Sequence, residues 1–319
     1  KAGPWTQGPV LLQALRLLDA CSDDQLRLAD EHDVHQVIES VKLAMADREA
    51  YYGDGMDRTL LDHLLSEEYA AARRPQIGDV ASTELRPGDV TTHRAFNPPL
   101  RTVQGEGWMA AAAGEPTVSR TGSTRGDTCH VDVVDRWGNM ISVTPSGGWL
   151  QSSPAVPELG FSLGTRLQMA WLDPASPSAL QPGRRPRTTL TPTMLSVGGQ
   201  AVVALGTPGG DQQDQWQLLY LLRTLVAGLT PQQAIEAPSL HTTAFPASFW
   251  PRSWHRAGAV LEGRWGDHIV QGLRSRGHEV TVSGDWTLGR LSAVGRHAGD
   301  GMLWAASNPR GAQGYAVGR

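Results

Sequence analysis

From residue 126 to 143 the chain reads Gly-Asp-Thr-Cys-His-Val-Asp-Val-Val-Asp-Arg-Trp-Gly-Asn-Met-Ile-Ser-Val. Val131 and Val133 alternate with polar neighbours, Asp135 to Asn139 supplies turn chemistry, and Met140 to Val143 returns as a second strand. A β-hairpin is the reading, and it commits this part of the chain to a sheet. It also places the hydroxyl of Thr128 at the first strand position, on the rim of that sheet.

A threonine so placed has a chemical use. If the chain is cut before it, the new α-amine becomes the base for its own hydroxyl, and with a reference pKa of about 7.7–8.0 that amine is partly neutral near pH 7. The bland alternative is a β-branched residue opening a hairpin, where such residues are favoured. Local pattern alone leaves both open.

Composition bounds the rest. The chain has 319 residues, 40% hydrophobic and 19% charged, with a formal net charge of −4. These values describe a globular protein with neither a nucleic-acid footprint nor a polybasic membrane patch. Cys21 and Cys129 are too few and too far apart for a disulfide framework or a metal cluster. No apolar run is long enough for a bilayer span. The start, Lys1-Ala2-Gly3-Pro4, is neither an initiator methionine nor a signal peptide, and reads as a truncated or processed terminus. Compartment is left undecided between cytoplasm and export.

Helical patterning covers residues 9–19, with proline in the first turn, and a longer segment from an Asp33 cap to about Tyr52. In the latter Val34, Val37, Ile38, Val41, Ala44 and Met45 share a face, with Glu39, Lys42 and Arg48 largely off it. Two short helices follow at 60–65 and 66–74, the second capped by Ser66. From Gly78 to Gly126 the composition turns to Gly, Pro, Ser, Thr and charge without a period. A connection this long is either functional and mobile, as an autoproteolytic linker would be, or a surface loop between subdomains.

After the hairpin, strands are expected at 195–197 and 201–205, the second running into Gly206-Thr207-Pro208-Gly209-Gly210-Asp211-Gln212 and then a helix from Asp214 to about Leu229. Strand, glycine turn and helix N-terminus form an anion-binding arrangement in which the N–H groups of Gly209 and Gly210 can hold an oxyanion. A plain tight turn explains the same residues. It is not a nucleotide loop, because neither G-x-G-x-x-G nor a Gly-Lys-Ser/Thr ending is present. Helices near 231–237 and 267–276 alternate with strands near 279–282, 291–294 and 302–306. Such mixing predicts an α/β or α+β layered domain.

At this point the chain resembles the γ-glutamyltranspeptidases, a branch of the N-terminal-nucleophile (Ntn) hydrolases. The likeness is carried by His35 through Asp54, Thr128 through Val143, Arg185-Pro186-Arg187-Thr188-Thr189-Leu190-Thr191-Pro192-Thr193, Gly206 through Gly210, Ala234-Ile235-Glu236-Ala237-Pro238 and Ser307-Asn308-Pro309-Arg310. It implies an α+β fold, the four-layer αββα sandwich, incomplete at the N-terminus. It also implies that residues 1–127 are the end of a large-subunit region closing in a mobile linker at about 78–127, and that 128–319 are the small subunit, fused in one structural domain.

What the resemblance further implies is autocleavage between Asp127 and Thr128, with Thr128 as nucleophile and Gly209 and Gly210 as oxyanion hole. Thr188 and Thr189 match the two serines that grip the substrate carboxylate. No cofactor or metal is implied. The partners are a γ-glutamyl or other acyl amide, water or an amine as acceptor, and the two subunits of the precursor, with a homo-oligomer open and no nucleic acid. Thr91-Thr92-His93 spells the family's motif better than Thr128-Cys129-His130, but the Arg94-to-Pro99 stretch after it cannot make the strand and hairpin. Strand alternation turns Cys129 away from Thr128, which suggests a small buried residue, and gives His130 a structural hydrogen-bonding role.

Departures from the family concern the substrate. Ser146 and Gly148 stand where a threonine and an asparagine are usual, and Arg166 and Met169 where a glutamine and an aspartate hold the γ-glutamyl ammonium. An arginine there prefers carboxylates, so a donor without the free amine is a second reading, either glutaryl-type or from secondary metabolism. Asp173 is four residues too far to rescue ammonium binding. A third reading is an inactive paralogue serving as scaffold.

Overall fold

A computed structural model describes residues 1–102, 128–147, 155–297, 299–312 and 314–318, and its N-terminal third is helical: α1 (Gly8–Leu18), α2 (Asp23–Leu26), α3 (Glu31–Tyr51), α4 (Arg58–Leu64) and α5 (Glu67–Arg73). The long helix starts three residues earlier than expected. Asp30 is its cap, accepting the Asp33 N–H at 3.0 Å, and Asp33 sits in the first turn, where a carboxylate suits the helix's positive end. Ser66 caps α5 as the sequence indicated.

The expected charged outer face of α3 does not exist. Glu39, Lys42 and Arg48 are all buried, because α3 is wrapped by α1, α8 (Asp267–Ser275) and neighbouring strands. Their charges are tolerated because each is paired: Lys42 and Arg86 with Glu39, and Arg48 with both Glu49 and Asp211. Residues 78–102 have little regular structure, yet they are strapped along this helix. His35 Nε2 meets Gly78 O at 2.7 Å, Lys42 donates to Ser82 O at 2.7 Å and Phe96 N to Ala50 O at 3.2 Å. The remainder of the proposed linker, 103–127, lies outside the described residues.

Strands occupy most of the rest. In chain order they are β1 (Arg101–Thr102), β2 (Val131–Val134), β3 (Met140–Val143), β4 (Ala155–Val156), β5 (Phe161–Ser162), β6 (Thr193–Val197) and β7 (Gln200–Gly206), followed by β8 (Leu240–Thr242), β9 (Ser253–Trp254), β10 (Gly258–Glu262), β11 (Glu279–Ser283), β12 (Ser292–Arg296) and β13 (Leu303–Ser307). An antiparallel sheet runs β13-β12-β7-β6, and a second runs β11-β10-β8, with β10 parallel to β11. In chain order, α6 (Gln213–Leu221), which loosens into a wider turn over Leu222–Val226, and α7 (Pro231–Glu236) come between β7 and β8. The apolar core joins residues from α1, α3, β7, α6, β10 and α8, so both halves of the chain contribute to it.

The hairpin is as expected: Val131 faces Val143 and Val133 faces Ile141, and the Asp135 carboxylate closes the turn on the N–H groups of Trp137 and Asn139. One face of it packs on the four-stranded sheet. Ser142 donates to Leu205 O at 3.1 Å, and Ser292 on β12 donates to Asp132 at 3.1 Å.

His241 on β8 is fully buried, and neither ring nitrogen has a hydrogen-bond partner among the described residues. Burial pulls its pKa down to about 3. The folded chain therefore keeps the ring neutral while the unfolded chain protonates it below about pH 6.5. The cost is nil above that pH and grows as pH falls toward 3. His241→Phe is expected to flatten the acid limb of a stability–pH curve, measured by urea unfolding, by up to about 1.4 kcal/mol per pH unit between pH 6 and 4. An unchanged slope would contradict this.

Candidate active site

Thr128 stands just before β2, half-buried, and its Oγ1 shares a 2.6 Å hydrogen bond with Ser146 Oγ. The next peptide bends back on the same loop, Cys129 N donating to Pro145 O at 3.2 Å. Cys129 itself is exposed rather than buried as expected. His130 fills the structural role assigned to it: Nδ1 pairs with Thr144 Oγ1 at 2.7 Å and Nε2 with Asp132 Oδ2 at 2.8 Å.

That imidazole also ties the hairpin to the glycine turn. A Cβ built on Gly206, the last residue of β7, would overlap the His130 ring, so glycine is required where the two meet. Three residues on, Gly209 and Gly210 have φ of 137° and 54°, conformations that glycine alone adopts readily. Both are buried, and the chain then passes through a single tight turn into α6.

Arg166 belongs to the same neighbourhood. Thr165 N donates to Gly147 O at 2.6 Å, which clamps the Arg166 segment onto the loop that carries Ser146. The Arg166 guanidinium lies 5.7 Å from the centroid of the buried Phe249 ring. Ser248, next to Phe249, donates its N–H to Asp211 Oδ2 at 2.8 Å, so this wall is anchored directly behind Gly210. Met169 is wholly buried, and its carbonyl accepts from Arg252 at 2.7 Å. Asp173 is exposed and turned to Ala175 N.

Thr188 and Thr189 are buried on the segment preceding β6. Thr188 Oγ1 accepts the Leu190 N–H at 3.2 Å, whereas Thr189 Oγ1 has no partner among the described residues. A buried hydroxyl left unsatisfied is uncommon and suits a group that meets a ligand. The segment is held to the helix after the glycine turn by Thr191 Oγ1, which donates to Asp214 at 2.8 Å.

The residues missed in the sequence are the supporting ones. Arg48 reaches Asp211, Glu49, Gln7 and the Pro246 carbonyl, and Arg187 joins through Glu49 at 2.7 Å. Burial opposes the charge on Arg48, yet the carboxylates of Asp211 and Glu49 raise its pKa above the usual arginine value. Asp211 immediately follows the glycines, which was the only available hint. Thr91 and Thr92 lie exposed on a turn, where Thr92 bonds His93 and His93 bonds Asp57. Asp127 and Gly148 are outside the described residues.

Among the described residues, His35, Glu39 and His278 bring ligand-type atoms within 4.8 Å of one another. Protein groups already occupy them: Lys42 and Arg86 hold Glu39, and His35 Nδ1 meets His278 Nε2 at 2.8 Å. No helix among the described residues is long and apolar enough to cross a membrane.

Residues 1–318 match the family model described as gamma-glutamyltranspeptidase, so the chain belongs to that family. The solved structure of LmbA2991HD is 52% identical over all of this chain and 53% of its own, with a TM-score of 0.87. Among curated proteins, the glutathione hydrolase-like YwrD proenzyme of Bacillus subtilis is 29% identical over 100% of this chain and 53% of its own length. The oxamate amidohydrolase proenzyme of Klebsiella pneumoniae is 29% identical over 99% of this chain and 52% of its own. The chain thus spans about half the length of the curated relatives that it matches.

Proposed function

We propose that this chain carries the catalytic part of an Ntn amidohydrolase, cut between Asp127 and Thr128 into a small subunit of residues 128–319 and a larger part ending at 127, within a four-layer αββα sandwich. Thr128 Oγ attacks an amide carbonyl while its own α-amine takes the proton. The tetrahedral oxyanion is met by the N–H groups of Gly209 and Gly210. The C–N bond then breaks, the amine leaves with that proton, and water or another amine releases the acyl group from the Thr128 ester. The observation that carries this reading is the Thr128–Ser146 hydroxyl pair on a hairpin that His130 packs against the glycine strand.

For the donor, the family points to a γ-glutamyl amide, with Thr188 and Thr189 on its carboxylate. A second reading, a donor without the α-amine, is favoured by Arg166 clamped beside Ser146 and by the buried thioether of Met169. Oxamate, for which one relative is named, has a carboxylate and an amide but no ammonium group. The test is twofold. Intact mass of the full-length protein is expected to show cleavage before Thr128, and release of an anilide is to be compared for γ-glutamyl and glutaryl donors. Fast γ-glutamyl turnover with no glutaryl turnover would remove the Arg166 argument; a permanently uncut, inactive chain would favour a scaffold.

A further inference from the structure

The indole of Trp216 lies directly under the turn that the proposed reaction uses. Trp216 comes seven residues after Gly209, at the end of the first turn of α6, and its six-membered ring occupies the place that a Gly209 side chain would take. Three groups brace it elsewhere, and a small cavity that it lines with Tyr220, Arg223 and Arg310 lies on a further side. Val260 and Leu288 pack with it in one buried cluster, and His241 meets it edge to face at 5.8 Å and 73°. The residue is 5% exposed.

Gly209 needs such a backing. At φ 137° a glycine has other accessible conformations nearby, and its own carbonyl is tied forward, to Gln212 N at 3.0 Å. Any rotation of this peptide re-aims the N–H groups of Gly209 and Gly210, whose value depends on pre-set direction. The geometry points to Trp216 as a positioning residue that fixes the oxyanion-binding turn, with His241, Val260 and Leu288 bracing it. This inference rests on the proposed role of Gly209 and Gly210.

The test uses Trp216→Phe and Trp216→Leu in the full-length protein, with Leu218→Ala as a control that opens the core on another face of the same helix. Because a misplacement of about 1 Å can cost around a hundredfold in rate, Trp216→Phe is expected to lower kcat about ten- to a hundredfold with KM within twofold. Leu218→Ala keeps kcat within threefold. A fall of less than threefold in Trp216→Phe, or an equal loss in Leu218→Ala, overturns the inference. Amide exchange over residues 206–212 is a second readout that needs neither turnover nor a folded Leu variant: it is expected to quicken in Trp216→Phe while residues 258–262 stay protected, and unchanged exchange counts against the role. Absence of Thr128-dependent turnover in the unmodified protein removes the catalytic reading instead, leaving exchange to decide the packing.

Discussion

Thr128→Ala is expected to remain an uncut precursor and to lose acyl transfer by on the order of 10⁴-fold or more, since it removes the attacking atom itself. Neighbouring groups offer no substitute. Ser146 Oγ is only 2.6 Å from the Thr128 hydroxyl, but it lies inside the chain and would have no α-amine after cleavage. Cys129 is exposed and would likewise have no α-amine after cleavage. His130, the nearest imidazole in sequence, is bonded at both nitrogens to Thr144 and Asp132, with its side chain 2% exposed. Thr128→Ser keeps a hydroxyl on the same amine-bearing residue, so both cleavage and turnover should persist at reduced rates. Intact mass and anilide release measure the two properties separately. A cut product, or turnover within tenfold of normal, in Thr128→Ala would sink the assignment.

How much of this was legible depends on the range of the interaction. The hairpin rests on alternation and turn chemistry within eighteen residues, and its register is the one those residues suggest. The Ser66 cap and the glycine turn are equally local. By contrast β8 and β10 went unseen: Gly258–Glu262 is buried at every position, so it carries no alternation, and Leu240–Thr242 is too short for a period. α3 misled for a related reason. Its charged residues read as an outer face, but a helix enclosed by other elements buries them in ion pairs that no local pattern reveals. At the site, Thr128 was readable from its chemistry and Thr188 and Thr189 only through family resemblance. Trp216, Ser248 and Phe249 are defined by what they touch, not by what precedes them.

Asp211→Ala is the substitution expected to cost most in stability, about 3–5 kcal/mol by urea unfolding. The carboxylate is 1% exposed and accepts from Arg48, from Ser248 N at 2.8 Å and from Ser248 Oγ. Without it, Arg48 keeps Glu49, but Glu49 is already shared with Arg187, whose pKa burial lowers despite that partner. Two guanidinium groups would then compete for one carboxylate in a space that admits no solvent, which is the expensive half of breaking a buried pair. Asp211→Asn retains acceptors for Ser248 while losing the charge, and should fall between the two. The loss should reach the chemistry as well, because Asp211, the residue after Gly210, anchors the Ser248–Phe249 wall beside Arg166. Combining Asp211→Ala with Arg48→Met removes the stranded charge, so the double variant should lose less than the sum of the single losses. A cost below about 1 kcal/mol for Asp211→Ala, or strict additivity in that cycle, would show that the network does not bear on folding.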